Sequence, residues 1–246
     1  MRGITQAIRC ALVAMTASFA SQAMAAEQNH VIVIGALHQL HGKEPSFDYA
    51  ALERAVRRAA PAVIVLEVRA DELQGRTETP GRPEYPAVLW QLLQEVRAET
   101  VAMEPSGDTF RQLSQRASAA YAQFKSLDPV AADNLSKLES AAEAVLLRHW
   151  RSPADTQDRL TAEICTTISH AQESLAGPEL AAVQAEWDAY MVARVRAALL
   201  ANPDKRILVV ASYKNRAMIE EAVRSVAPDR AVSAESWLKS MFNRPS

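Results

Sequence analysis

Two histidines and two glutamates stand just after short apolar segments of the chain: His38, His41, Glu67 and Glu104. A neutral imidazole and a carboxylate can each act as a general base, and both bind metal ions. The sequence therefore contains a set of groups suited to acid–base catalysis or metal binding, provided that the fold brings them together.

The apolar segments that precede these residues have the pattern of buried strands, and a similar segment occurs late in the chain: 31–34, 63–66, 101–103 and 206–211. Short apolar runs bounded by turn residues indicate strands of a parallel sheet. Helical patterns lie between the strands, which is typical of α/β folds. We expect an α/β fold with a mostly parallel central sheet flanked by helices. In such sheets ligands bind beyond the carboxyl ends of the strands, where the histidines and glutamates lie.

No strand pattern occurs between residues 107 and 200, where alanine is abundant and helix-start signals recur. A capping side chain followed by proline, as in Asp128-Pro129, marks such a start. We predict four helices, at about 109–126, 129–150, 153–175 and 178–200. Because a strand pattern returns afterwards, we interpret 107–200 as an all-helical insertion before the fourth strand, within a single α/β domain that spans 26–246.

The first 25 residues have the pattern of a secretory signal peptide. Arg2 and Arg9 form a positive amino-terminal region, residues 11–20 are apolar, and residues 23–25 form a small-x-small cleavage site. An uncleaved anchor is the alternative, but the apolar stretch is short for crossing a bilayer. We therefore expect an exported protein, periplasmic or secreted, with no membrane span after cleavage of residues 1–25.

Composition limits the classes of partner. The formal net charge is −2 and no block of lysine or arginine occurs, which argues against nucleic acid. Of the two cysteines, Cys10 falls in the predicted signal peptide, so we expect no internal disulfide. Cys165 falls in a helical pattern and is expected to be a small buried hydrophobic residue. We expect a small-molecule or peptide substrate.

Each candidate residue has a functional and a structural interpretation. For His38 the functional one is favoured, because acids recur at the ends of the neighbouring strands. Glu67 is either functional or an ion-pair partner of Arg69, since a buried carboxylate needs a partner. Glu104 is either functional or an acid at a helix amino terminus, and these two interpretations are about even.

A polar segment also follows the fourth strand. Ser212 and Tyr213 can hydrogen-bond a substrate, and Lys214 or Arg216 can bind an anion. The structural interpretation is a helix amino terminus capped by Ser212. Arg194, in the last predicted helix of the insertion, has from its spacing alone the position of a solvated arginine.

Three motifs in this order resemble those of the TraB/GumN/Tiki family, within the superfamily that includes erythromycin esterases and ChaN-like proteins. The first is a Gly-x-x-His after strand one, the second is a glutamate and arginine after strand two, and the third is an arginine helix before the late strand: Gly35-Ala36-Leu37-His38, Leu66-Glu67-Val68-Arg69, and Met191-Val192-Ala193-Arg194-Val195 followed by Arg206-Ile207-Leu208-Val209-Val210. The resemblance spans the chain, including the helical insertion.

The resemblance implies a hydrolase that acts on esters or peptides. Esterase-like members resemble hydrolases that use histidine and glutamate without a metal, whereas Tiki-like members resemble metal-dependent proteases. It implies that His38 is a base or a metal ligand and that Glu67 and Glu104 activate water or bind metal. Arg69 and Arg194 would position an anionic or carbonyl group.

A metal-dependent mechanism would hold a divalent ion with His38, His41 and Glu67. The His-x-x-His spacing of His38 and His41 can chelate one metal when it is helical, but His41 is equally a supporting or an exposed residue. The chain departs from the family at one place. Where the family has a second Gly-x-x-His after the late strand, this sequence has Ala211-Ser212-Tyr213-Lys214. The alternative function is therefore a non-catalytic protein on the same scaffold that binds a small ligand, haem or a metal.

Overall fold

The computed structural model of the protein describes residues 29–242. The predicted signal peptide, 1–25, lies outside the described residues. Within them five strands form one sheet with the order β3-β2-β4-β1-β5, and all pairs are parallel. The strands are β1 Val31–Ala36, β2 Val63–Leu66, β3 Glu99–Ala102, β4 Ile207–Ser212 and β5 Ala231–Val232. The predicted α/β class with a parallel central sheet is confirmed.

The α-helices of the described residues flank this sheet, and four of them separate β3 from β4, as the sequence predicts. In chain order they are α1 Tyr49–Ala59, α2 Ala70–Gly75, α3 Trp90–Val96, α4 Gly107–Leu127, α5 Pro129–His149, α6 Arg159–Ala176, α7 Pro178–Ala201, α8 Arg216–Val226 and α9 Ala234–Phe242. Short 3-10 turns occupy His38–Gly42, Pro45–Phe47, Asp155–Gln157 and Pro228–Arg230. None of the helices within 29–242 has the length and apolar character needed to cross a bilayer.

Both faces of the sheet are buried, which explains the continuous apolar runs. Ile32 and Ile34 of β1 belong to a core that includes side chains of α1, α3 and α9. Val31 and Val33 point to the opposite face and join a core that includes α7 and α8. Because side chains alternate along a strand, one apolar segment supplies both cores. Each such side chain stabilises the fold by roughly 1.5–3 kcal/mol.

The third helix of the insertion begins later than predicted. It starts at Arg159, where the Asp158 side chain accepts a hydrogen bond from the Thr161 nitrogen at 2.8 Å. The preceding residues form a turn because Gln157 pairs with β1. Its side-chain oxygen accepts from the Gly35 nitrogen at 2.7 Å, and its side-chain nitrogen donates to the Gly35 oxygen at 3.0 Å. The insertion is thus bound to the end of the first strand.

The predicted helix at about 86–97 is also interrupted at its start. Residues Tyr85–Leu89 form a π-helical turn, and only Trp90–Val96 is α-helical. Pro86 lies at the start of this turn, where its missing N–H prevents the regular hydrogen-bond pattern.

Aromatic and polar contacts hold the insertion together. Phe110 of α4 packs edge-on against Trp187 of α7 with ring centroids 5.8 Å apart. The indole nitrogen of Trp150, at the end of α5, donates to the Thr161 hydroxyl of α6 at 2.9 Å. Such contacts link α4 to α7 and α5 to α6 within the insertion.

Candidate active site

Glu67 joins the ends of two neighbouring strands. Because β2 pairs with β4, Leu66 lies opposite Val210, and the Glu67 carboxylate reaches the residues that follow β4. One oxygen accepts from the Ser212 backbone nitrogen at 2.6 Å and the other from the Asn215 side-chain nitrogen at 2.8 Å. Glu67 is buried, so these two bonds satisfy a carboxylate that has left bulk water.

Burial raises the pKa of Glu67 above its ordinary value. The hydrogen bond from Ser212 and the nearby charges of His38 and Arg82 act in the opposite direction without cancelling the effect. Glu67 therefore exchanges its proton at a higher pH than an exposed glutamate does.

Glu104 follows β3, next to Glu67 on the neighbouring strand. One of its oxygens lies 2.8 Å from a guanidinium nitrogen of Arg82. Burial raises the pKa of Glu104 to about 7, the Arg82 charge opposes this shift, and the negative charge of Glu67 adds to it. A carboxyl group that titrates near neutral pH can both take up and release a proton under ordinary conditions.

Arg82, like Glu84 and Asn215, is a residue of this site that the sequence analysis did not identify. Its guanidinium contacts Glu104, lies 3.1 Å from the Glu72 carboxylate and donates to the backbone oxygen of Glu67. In the sequence, Arg82 lies in a segment rich in glycine, proline and threonine, 75–83, whose length is typical of a functional loop. A lone loop arginine does not reveal which carboxylates it will meet.

Arg69 does not pair with Glu67, so the structural alternative considered for Glu67, an ion pair with Arg69, is wrong. Its guanidinium lies 3.0 Å from Glu72 and 3.2 Å from Asp71, and its central carbon is 4.3 Å from the centroid of the Phe110 ring. Arg69 stands at the start of α2, where the helix draws its side chain towards its own first turn.

His38 is held by a buried acid from another element. Its Nδ1 lies 2.8 Å from an oxygen of Glu84, which is 0% exposed. The backbone of His38 has φ of +54°, a left-handed conformation that non-glycine residues rarely adopt. This combination fixes the imidazole beside the end of β1.

The predicted metal ligands do not form a metal site. His41 uses both ring nitrogens on backbone groups: Nε2 accepts from the Leu37 nitrogen at 2.9 Å, and Nδ1 donates to the Phe47 oxygen at 2.6 Å. Its burial lowers its pKa and keeps the imidazole neutral in that role. No three His, Cys, Asp or Glu side chains within 29–242 are grouped so as to hold an ion. His41 is thus a structural residue, and the set of His38, His41 and Glu67 does not fit a metal centre.

The predicted substrate-binding residues Arg194 and Ser212 lie at the ends of different strands, β3 and β4. Arg194 is exposed, and its Nε donates to the Ala102 oxygen at the end of β3, at 3.3 Å. Ser212 does not cap a helix, because α8 begins at Arg216 with Asn215 as the preceding residue. Instead the Ser212 hydroxyl accepts from the Lys214 nitrogen at 3.2 Å and closes the turn after β4.

A cavity of about 390 Å³ lies between the strand ends and the helical insertion. Its floor contains four of the predicted residues, and helices α4 to α7 supply its walls. The predicted residues that line it are Glu67, Glu104, Ser212 and Tyr213. Those that do not are His38, His41, Arg69 and Arg194. The insertion thus covers the sheet edge with a pocket, in the region where α/β folds bind ligands.

Cys165 of α6 also lines this cavity. It is buried, as the sequence analysis expected, and burial raises the pKa of its thiol to about 11. A thiol with that pKa stays protonated at neutral pH, so it contributes an apolar wall rather than a nucleophile.

Comparison of the chain with protein-family models, with curated proteins and with solved structures gave no match.

Proposed function

We propose that this protein is a hydrolase of small esters or amides whose general base is Glu104. One observation carries the proposal: a carboxyl group with a pKa of about 7 lines a cavity of about 390 Å³ at the carboxyl ends of parallel strands. An acid of this kind converts between its charged and neutral forms near pH 7, as a base that later acts as an acid requires. The TraB/GumN/Tiki resemblance supports the same class of reaction.

The proposed reaction uses groups that line the cavity. The Glu104 carboxylate takes a proton from a water molecule while the oxygen of that water bonds to the carbonyl carbon of the substrate. Lys214 lines the same cavity, is exposed and has no ion pair within the described part of the chain, so its ammonium group stabilises the negative charge that forms on the carbonyl oxygen. The carbon–oxygen or carbon–nitrogen bond of the substrate then breaks, and Glu104 returns the proton to the leaving group.

Other residues position this base. Arg82 holds one oxygen of Glu104, while the other oxygen accepts no hydrogen bond from residues 29–242 and is left for water. Glu67 is fixed by Ser212 and Asn215, and its charge helps to raise the pKa of Glu104. Glu104 therefore contacts the substrate, whereas Glu67 acts indirectly by raising the pKa of Glu104. No step uses a metal, because the predicted ligands do not converge.

The test is hydrolysis of a panel of p-nitrophenyl esters with acyl chains of increasing length, together with aminoacyl p-nitroanilides. We expect turnover above the buffer rate, and a fall of about 100-fold or more for Glu104→Gln. The matched control is Glu78→Gln, because Glu78 is exposed and makes no ion pair in the described chain. EDTA is expected to leave the rate unchanged. An unchanged rate in Glu104→Gln, or loss of turnover with EDTA, would overturn the proposal.

A binding protein without turnover is the second candidate, and the apolar walls of the cavity favour it. Haem is a poor fit. Among residues 29–242, the cavity-lining side chains of the kinds that ligate haem iron are Cys165 and Tyr213, and burial raises the pKa of both. A small organic ligand fits the volume better. Stoichiometric binding of a panel substrate without its hydrolysis would support this candidate against the hydrolase.

A further inference from the structure

Two carboxylates on the wall of the cavity are unused by the proposed reaction. Glu139 and Glu143 lie one helical turn apart on α5, are half-buried, and line the same cavity as Glu104. Neither forms an ion pair or a hydrogen bond within the described residues, in contrast to Asp133 of the same helix, which pairs with Lys137 at 2.5 Å. Two like charges at this spacing repel each other unless a positive group lies between them.

The hydroxyl of Tyr213, on the floor of the same cavity, is a second, independent feature. Tyr213 is 3% exposed, lines the cavity and makes no hydrogen bond through its hydroxyl within residues 29–242. Burial raises the pKa of its hydroxyl, and electrostatic interactions with Cys165, Glu143 and Glu139 raise it further. Because Tyr213 lines the cavity and its hydroxyl has no partner among residues 29–242, the hydroxyl is available to hydrogen-bond a bound molecule.

The other residues that line the cavity include both apolar and charged side chains. Apolar parts of the walls are formed by Leu146, Ile164, Val183 and Trp187. Within the described part of the chain, Lys214 is the one lysine or arginine that lines the cavity. Of the four glutamates that line this space within residues 29–242, Glu139 and Glu143 have no positive partner, so this part of the cavity favours a positively charged ligand over a negative one. The apolar walls fit the hydrocarbon part of such a ligand.

We propose that Glu139, Glu143 and the Tyr213 hydroxyl bind the ammonium group of a substrate whose remaining part is apolar. A primary ammonium has three N–H donors, and these three side chains supply three acceptors. The substrate class is therefore an amine-bearing ester or amide with a hydrocarbon body, oriented with its cationic end at α5 and its carbonyl at Glu104. The choice of substrate class rests on the proposed hydrolase function, whereas ammonium binding stands without it.

The test measures binding of three non-hydrolysable probes by calorimetry: hexylammonium, 1-hexanol and hexanoate. We expect hexylammonium to bind roughly tenfold or more tightly than 1-hexanol, and hexanoate to bind most weakly, because a charge-assisted contact is added or reversed at constant chain length. The Glu139→Gln/Glu143→Gln variant is expected to bring the ammonium and the alcohol within about twofold of each other. Asp133→Asn, on the exposed side of α5, is the matched control and should keep the preference. Thermal unfolding of each variant verifies that it is folded.

Three results would overturn the inference: no binding of any probe, tighter binding of hexanoate, or an ammonium preference that survives in the double variant. Because the probes are not hydrolysed, these results are independent of catalysis. An ammonium preference without ester turnover would support the ammonium-binding site and contradict the hydrolase function. Turnover of neutral esters without an ammonium preference would support the hydrolase function and contradict the ammonium-binding site.

Discussion

The carboxylate of Glu67, which follows β2, accepts a hydrogen bond from the backbone nitrogen of Ser212, the last residue of β4, at 2.6 Å. These residues are 145 positions apart in the sequence, and the whole helical insertion lies between them. The bond ties the floor of the cavity to the turn that carries Tyr213, Lys214 and Asn215. It makes Glu67 a structural centre of the site as well as a source of negative charge.

We expect Glu67→Ala to lower the free energy of unfolding by about 2–4 kcal/mol, because the Ser212 and Asn215 donors lose their acceptor in a buried place. Glu67→Gln keeps an acceptor for Ser212, and the Asn215 amide can turn to offer its oxygen, so its loss should be about 1 kcal/mol. Urea unfolding of both variants checks this. Glu78→Ala, at an exposed acid, is the control, and equal losses in the Ala and Gln variants would contradict the assignment.

We expect the folded protein to become less stable as the pH rises from 4.5 through about 7, because of Glu104. Its pKa is raised to about 7 in the folded protein from 4.5 in the unfolded chain, so between these values the unfolded chain has released a proton that the folded protein retains. The stabilisation is complete below pH 4.5 and is lost as the pH rises through about 7. Relative to Glu104→Gln, the wild-type protein is expected to lose roughly 2–4 kcal/mol across this range. Urea unfolding at several pH values measures the difference, and a flat difference would refute the shift.

The His38–Glu84 pair is expected to be energetically coupled. His38→Ala removes the partner of a fully buried carboxyl oxygen and should cost about 1–3 kcal/mol. His38→Asn should cost less, because asparagine tolerates the left-handed backbone at this position. A double-mutant cycle with Glu84→Gln is expected to give a coupling energy above about 0.5 kcal/mol. His170→Ala, at an exposed histidine, is the control, and additive losses would show that the contact contributes nothing.

Gly35 should not tolerate a side chain. A Cβ atom at this position would lie 2.8 Å from the Tyr213 Cα and 3.2 Å from the Gln157 side-chain oxygen, and the backbone of Tyr213 cannot move aside. We expect Gly35→Ala to cost about 1–3 kcal/mol, measured by thermal unfolding. Gly42→Ala is the matched control, since nothing lies within 4 Å of its added Cβ. Similar losses at both glycines would contradict the close approach.

The strands and their polar ends were predictable from local pattern. Apolar runs that end in Glu67 and Glu104 indicate buried strands, and parallel strands bring their carboxyl ends to one edge. Both glutamates do line one cavity. The start of the helix at Arg159 was not predictable in this way, because Gln157 is held by Gly35, which is 122 residues away. No local preference encodes that contact.

The amino-acid sequence by itself determined the α/β class, the helical insertion before β4 and the placement of acids at the strand ends, because period and polarity are local properties of the chain. Only the tertiary structure decided the partners. In the folded protein His41 hydrogen-bonds backbone groups, Arg69 pairs with Glu72 of α2, and Arg82 pairs with Glu104. These partners depend on which side chains come into contact after folding. The raised pKa of Glu104 follows from that same burial, which no residue type carries on its own.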